Sequence, residues 1–325
     1  MANESLFVVG GGPVEIASGV GALAYSFVLG KRQEKMLLNF RPHNVSLITL
    51  GTILLWFGWL GFNGGSAFGA NLRAVMACWN SNIAAATSAI TWVLLDFRLA
   101  RKWSMVGFCS GLISGLVAAT PASGFITPHA SILLGVCSGV ICNYGTKLKY
   151  LIGIDDTMDV FAEHGVAGIV GLIFNALFGT NKVMALDGMT QVAGAGWVNH
   201  HWKQLYIQVA YILAVCLYSF VVTVLICYVI NIIPGLHLRA NEQAELLGMD
   251  DDQLGEFAYD YVEVRRDYLA WTPAKEHHDQ HTPVTASNLI GVPQHSEMIE
   301  GQAPQTSSQN SDNIEEEKMA AEKEK

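Results

Sequence analysis

Apolar residues in this chain run in long stretches. They do not alternate as in a half-buried strand, and they are broader than the stripe of a soluble amphipathic helix. A helix needs about 20 mostly apolar residues to cross a hydrocarbon core of about 30 Å. Seven stretches meet that length, approximately 8–30, 45–67, 74–97, 104–122, 130–148, 159–178 and 205–233. The first six are rich in Gly, Ala, Ser and Thr, which let helix backbones approach closely where lipid supplies no hydrophobic drive. The seventh is bulkier, and its ~29 residues at 1.5 Å each span about 43 Å, which predicts a strong tilt. The pattern predicts an all-α integral membrane protein with a transmembrane domain over 1–236. Residues 237–272 are polar with periodic apolar positions (Leu238, Leu246, Leu247, Leu254, Phe257, Tyr261) and are expected to dock on the cytosolic face. From 273 to 325 the chain is rich in Gln, Ser, Thr, Glu and Lys, the composition of a disordered acidic tail.

Charge sharpens this picture. Residues 1–238 hold 12 Lys/Arg and 9 Asp/Glu, a net +3; residues 239–325 hold 7 and 19, a net −12; together they give the formal −9. The acidity belongs to the tail, and no basic stripe suggests nucleic acid. Alternate loops carry nine basic residues: Lys31, Arg32, Lys35 and Arg41; Arg98, Arg101 and Lys102; Lys147 and Lys149. The intervening loops carry only Arg73, Lys182 and Lys203. The positive-inside rule then starts the first helix outside and leaves the C-terminus cytosolic. The opening MANESLFVV lacks the basic n-region of a secretory signal. Six cysteines lie in apolar stretches without zinc spacing, so they read as buried structural thiols. His200 and His201 adjoin in an outer loop with no further ligand nearby, which reads as an interfacial loop beside Trp197 and Trp202; no metal or cofactor is expected.

Ionisable groups inside membrane segments are costly and therefore informative. Glu15 lies in GGGPVEIASG, and Asp159, Glu163 and His164 lie in DVFAEHGVAG. Asp159 also suits the positive end of a helix start. Glu163 is about 100° around the helix from His164, so the two cannot share one face. His164 and Glu15 stand among Gly and Ala with no sequence-local partner, although a backbone carbonyl could satisfy the imidazole. At the outer end of the second segment, the run Trp59 to Ala67 places aromatic rings beside a hydroxyl. Aromatic faces attract cations, and Ser66 could accept a hydrogen bond from an N–H donor. The same pairing also reads as an interfacial anchor.

Four ordered runs, FRPHN (40–44), GFNGGSA (61–67), ATPASGFI (119–126) and DVFAEHGVAGIVG (159–171), closely resemble the ammonium transporter family (Amt/Mep/Rh). The stretch LGKRQEKMLLNFRPHNVSL is similar to its fungal Mep branch. The resemblance covers about residues 10–270. It implies an ammonium-transporter-type bundle of eleven helices built as an inverted repeat and assembled as homotrimers. About seven of those eleven would be present, matching the fifth to the eleventh, so the chain is expected to lack the family's N-terminal portion. His164 matches the second pore histidine. Glu15 stands where the first usually sits, as in a subset of fungal members. Phe62 matches a gate aromatic and Ser66 the hydroxyl of the outer recruitment site, with Trp59, Asn63, Asp156 and Asp159 as pore support. Asp156 lies eight residues before His164, whereas the equivalent place before Glu15 is Phe7.

The implied activity is not enzymatic. It is nitrogen uptake across the plasma membrane: ammonium is recruited, gives up its proton to the Glu15–His164 pair, and passes as ammonia through an apolar pore. The expected partners are ammonium or ammonia, the lipid bilayer, and like or full-length subunits in a homotrimer or mixed trimer. Without helices one to four, Glu15 is expected to lack packing partners. The alternative is then a non-conducting or regulatory subunit of an ammonium transporter or sensor. An intramembrane enzyme is disfavoured, because His43, His129, His164, His200 and His201 spread across both faces.

Overall fold

The computed structural model describes residues 10–33, 42, 44–190 and 195–256. Phe7, most of FRPHN including His43, Phe257, Tyr261 and the tail 273–325 lie outside the described residues. The seven main helices are α1 (Gly11–Leu29), α2 (Val45–Gly65), α3 (Leu72–Ala100), α4 (Met105–Ala119), α5 (Pro128–Gly145), α6 (Phe161–Phe178) and α7 (Lys203–Ile232). All regular structure among the described residues is helical.

Local chemistry sets the helix starts. The side chains of Asn44, Asn71, Ser104 and Thr127 accept from the backbone N–H groups of Leu47, Ala74, Gly107 and Ala130. Each cap satisfies a donor that the helix cannot and stabilises the start by about 1 kcal/mol. Pro128 stands in the first turn of α5, where its missing N–H costs nothing. Gly30 (φ 76°) and Arg101 (φ 57°) end α1 and α3.

Among the described residues six helices are long and apolar enough to cross a membrane, the fourth of them running on from α5 through the short helix Leu148–Ile152. The fourth expected segment departs from this. The run 104–122 reads as one crossing, but α4 stops at Ala119 after 15 residues, about 22 Å. Pro121 brings no N–H to a helical ladder, and the chain instead turns tightly through Ile126. Buried Asn80 of α3 supports the turn by donating to the carbonyls of Ser123 (2.7 Å) and Ile126 (2.8 Å). The apolar run therefore continues as a buried turn.

The core lies among α3, α4 and α5. Ala84, Val117, Ala118, Ala119, Leu134 and Cys142 are buried together. A methyl at Gly115 would stand 2.5 Å from the Ala84 carbonyl oxygen, the backbone-level approach expected of small-residue faces. Only Cys109, Cys142 and Cys227 are fully buried; Cys78, Cys137 and Cys216 are half-buried, which corrects the expectation for those three. Much of α2 and α7 presents apolar side chains outward, such as Leu54, Phe57, Leu213 and Leu217.

Beyond α7, the segment up to Gly248 belongs to the same compact unit. Arg239 donates to the carbonyls of Leu29 (3.1 Å) and Lys31 (2.8 Å) and pairs with Glu245 (2.7 Å). Gln33 donates to the Glu242 carbonyl, and Ala244 is buried. The guanidinium thus gathers carbonyls at the end of α1 that no helical N–H can reach. Met249–Glu256 falls to a second unit, with one short wide turn over Asp250–Leu254.

Candidate functional site

Two helix starts build the site. α1 opens with a wide turn over Gly11–Ile16 and α6 with one over Phe161–Val166. In each, a backbone N–H reaches five residues back: Ala17 to the Gly12 carbonyl and Ala167 to the Ala162 carbonyl. Such π-turns insert one residue into the helical ladder and re-aim neighbouring side chains. Glu15 stands fifth in its turn and His164 fourth.

The helices cross where both are bare. A methyl on Gly19 would collide with the backbone nitrogen of Gly165, and one on Gly168 would stand 3.1 Å from Glu15 Cβ. This approach brings together two groups 149 residues apart. Glu15 Oε2 lies 2.9 Å from His164 Nδ1. The Glu15 side chain is 1% exposed and that of His164 25%. The expectation that Glu15 lacks packing partners is thereby corrected, because α6 supplies the partner. A buried carboxylate needs a partner to offset its lost hydration, and the imidazole is that group. The other oxygen, Oε1, is buried with no hydrogen-bond partner among the described residues.

Beside the pair lies an open cleft of about 480 Å³, walled by Val14, Glu15, Gly51, Leu54, Leu55, Gly58, Trp59 and Phe62. It is almost wholly apolar apart from the acid. The Trp59 ring stands 6.2 Å from the His164 ring and edge-on to Phe62 at 5.9 Å. The structure thus brings Glu15, His164, Trp59 and Phe62 to one place.

The remaining candidates stand apart from the pair. Asn63 is buried and donates to Ser81 (2.8 Å), which ties α2 to α3. The Ser66 hydroxyl donates to the Phe62 carbonyl (2.8 Å), which leaves its lone pairs as acceptors. Ser66 and Asn63 line a separate small cavity with Arg73 and Phe125. Asp156 accepts from the backbone N–H groups of Val160 (3.2 Å) and Phe161 (2.9 Å), so it caps the helix that carries His164. Asp159 has φ 53° and pairs with Lys149 at 2.7 Å. Glu163 points away from the pair, is buried, and meets the Ser110 hydroxyl of α4, as the angular offset predicts. Among the described residues no three metal-ligating side chains converge.

Sequence reasoning missed Thr120, whose hydroxyl accepts from the Trp59 indole N–H at 2.9 Å. The available signal was a threonine beside proline inside the conspicuous ATPASGFI run.

Fold and site together define a multi-pass helical membrane protein that buries an acid–imidazole pair against an apolar cleft. A sequence model of the Ammonium Transporter Family matches residues 3–259. The chain is 59% identical over 262 residues to the ammonium transporter MEP1 of Saccharomyces cerevisiae, covering 81% of this chain and 53% of that protein. It is 53% identical over 267 residues to ammonium transporter 2 of Schizosaccharomyces pombe, covering 81% and 52%. The crystal structure of Candida albicans Mep2 matches with a TM-score of 0.70 at 47% identity, covering 78% of this chain and 56% of that one. The chain therefore belongs to the ammonium transporter family, with a fungal-type sequence. It spans about half the length of the curated relatives it matches.

Proposed function

We propose that this chain supplies one wall of a membrane pathway for ammonium and ammonia, with Glu15 and His164 as its proton-handling pair. The observation that carries the reading is the 2.9 Å contact between these two groups at the edge of an apolar cleft. A bare cation entering such a cleft pays a large desolvation cost, whereas neutral ammonia does not. The chemistry that fits is proton surrender at the boundary. Phe62 and Ser66 would meet the hydrated ion, the Trp59 face would attract it, and the unpartnered Glu15 Oε1 would accept an N–H. The pair would then hold the proton while ammonia moves on. Coupled groups this close titrate as a unit. The names of the relatives, ammonium transporters, support the substrate class.

The rest of the reading follows from charge and kinship. The protein would be a plasma-membrane transporter with a cytosolic C-terminus, a transmembrane domain over 1–236, a docking segment over 237–272 and an acidic tail over 273–325. It would assemble as a homotrimer or with full-length subunits. Asp156 and Asp159 would hold the His164 helix in place, and Asn63 the Phe62 segment.

The test reconstitutes the whole chain in liposomes and follows internal pH after an ammonium chloride jump. Wild type should alkalinise the lumen faster than protein-free vesicles, and Glu15→Gln should lose most of that rate and change its pH dependence. An unchanged rate and profile in Glu15→Gln would refute the pair's role.

A second reading is a subunit that assembles with, and alters, full-length transporters. The open cleft favours it: no atom stands within 4 Å of a methyl placed on Gly51 or Gly58 of α2, so another helix could lie there. Co-purification with a tagged full-length relative, together with inert liposomes of this chain alone, would select that reading.

A further inference from the structure

The turn that ends α4 touches every element of the site, although it contributes no ionisable group. The Thr120 hydroxyl accepts from Trp59 Nε1 at 2.9 Å and donates to the Leu116 carbonyl at 3.1 Å. Its methyl lies where a side chain on Gly10 would fall, 2.7 Å from that ideal Cβ. Pro121 fills the matching space beside Gly11 (2.5 Å) and beside Gly171 of α6 (2.6 Å). The Pro121 carbonyl accepts from buried Asn175 of α6 at 2.8 Å. One dipeptide therefore meets the wide turn that aims Glu15, the helix that carries His164, and the indole that faces them both.

We propose that Thr120 is a positioning residue for the site, acting through Trp59, and that Pro121 is the wedge that sets α1 against α6. The Trp59 ring packs against core residues of α3 and α4 and also borders the open cleft. In this packing its N–H reaches the Thr120 hydroxyl while the ring stands 6.2 Å from the His164 ring. The threonine hydroxyl is doubly used, as acceptor from the indole and donor to the helix, so it cannot rotate freely. Without it the indole N–H is left unpaired in an apolar setting, and the ring turns to find another acceptor. The consequence for ammonium rests on the transport reading above; the positioning itself does not.

The test compares Thr120→Val, which keeps the shape and removes the hydroxyl, with Thr120→Ser, which keeps the hydroxyl. The whole chain, labelled with ¹⁵N-tryptophan and ¹⁵N-histidine, is placed in nanodiscs, with signals assigned by Trp59→Phe and His164→Asn. Thr120→Val should lose the hydrogen-bonded Trp59 indole shift and move the His164 ring-proton signals; Thr120→Ser should keep both. In ammonium uptake by liposomes, Thr120→Val should raise the half-saturating ammonium concentration about five- to tenfold, with Thr120→Ser within about twofold of wild type. Wild-type behaviour of Thr120→Val, or equal loss in both variants, would overturn the proposal. If wild type moves no ammonium while the nuclear signals respond as expected, the transport reading fails and the positioning role stands.

Discussion

The wide turns that open α1 and α6 share one backbone deformation and are held by opposite means. The turn of α6 is held by polar groups: Asp156 accepts two of its backbone N–H groups, and Asp159 is pinned by Lys149. The turn of α1 has no side-chain cap among the described residues. It is held by contact instead, with Gly10, Gly11 and Gly12 lying against Thr120, Pro121 and Tyr211 at distances that leave no room for a methyl. Both solutions aim an ionisable side chain into the same space. The difference teaches that orphan N–H groups at a helix start constrain the sequence nearby only when a side chain satisfies them. Where packing does the work, the constraint falls on residues more than a hundred positions away.

The contrast is broken most severely at the crossing that both turns serve. Gly19→Ala puts a methyl into the Gly165 backbone, and no flexible side chain can yield there. Overpacking of this kind costs about 1–3 kcal/mol, and it separates Glu15 from His164. The thermal midpoint in detergent should fall, and the His164 ring signals should lose their dependence on Glu15→Gln. A Gly19→Ala protein with native stability and an intact pair would show that the two helices are not held by this contact.

Asp156→Ala sharpens the contrast by removing the polar device alone. The variant leaves the first N–H groups of α6 without their acceptor, at a cost of about 0.5–2 kcal/mol. Amide hydrogen exchange should quicken at Val160 and Phe161 and stay unchanged at Val14 and Glu15. Equal quickening in both turns would mean that they open together, and the proposed division of labour would be wrong.

These two devices were unequally legible in the sequence. The sequence pointed to Asp159 as the acid at this helix start, but the cap falls three residues earlier on Asp156, while Asp159 turns to Lys149. Glu15 and His164 were each conspicuous because carboxylates and imidazoles are expensive in lipid. Their 2.9 Å contact was not readable from residue patterns alone, since it depends on two distant glycines meeting at the crossing. The membrane segments were clear from length and apolarity, except at 104–122. There hydropathy continued through Pro121 while the helix did not, because burial of a tight turn and burial of a helix call for the same apolar residues. The wide turns themselves left no local mark, because an i→i+5 bond is set by what packs against the backbone. The Ser81 partner of Asn63 was equally hidden, as a serine on a small-residue helix face differs little from its neighbours.

The smallest effect concerns the second tie between the same two helices. Arg32, just beyond α1, meets Asp155, just before α6, through a two-pronged contact at 2.7 and 3.0 Å. Burial alone would raise the Asp155 carboxyl, but the bonds and charge of Arg32, with the charge of Lys149, outweigh it and hold the group below the usual carboxylate range. A carboxyl depressed in the folded state binds fewer protons there than when unfolded, so stability rises with pH across that window. The contribution is complete above the ordinary carboxylate value of about 4 and is lost as pH falls through the folded value beneath it. Arg32 is one-third exposed, so water screens the pair and its worth stays below about 1 kcal/mol. Asp155→Asn should therefore lower the thermal midpoint slightly at pH 6, and the gap from wild type should close as pH falls below the ordinary carboxylate range. If the gap instead widened on acidification, the carboxylate would be opposing the fold, and the crossing glycines with the Glu15–His164 contact would have to hold α1 against α6 alone.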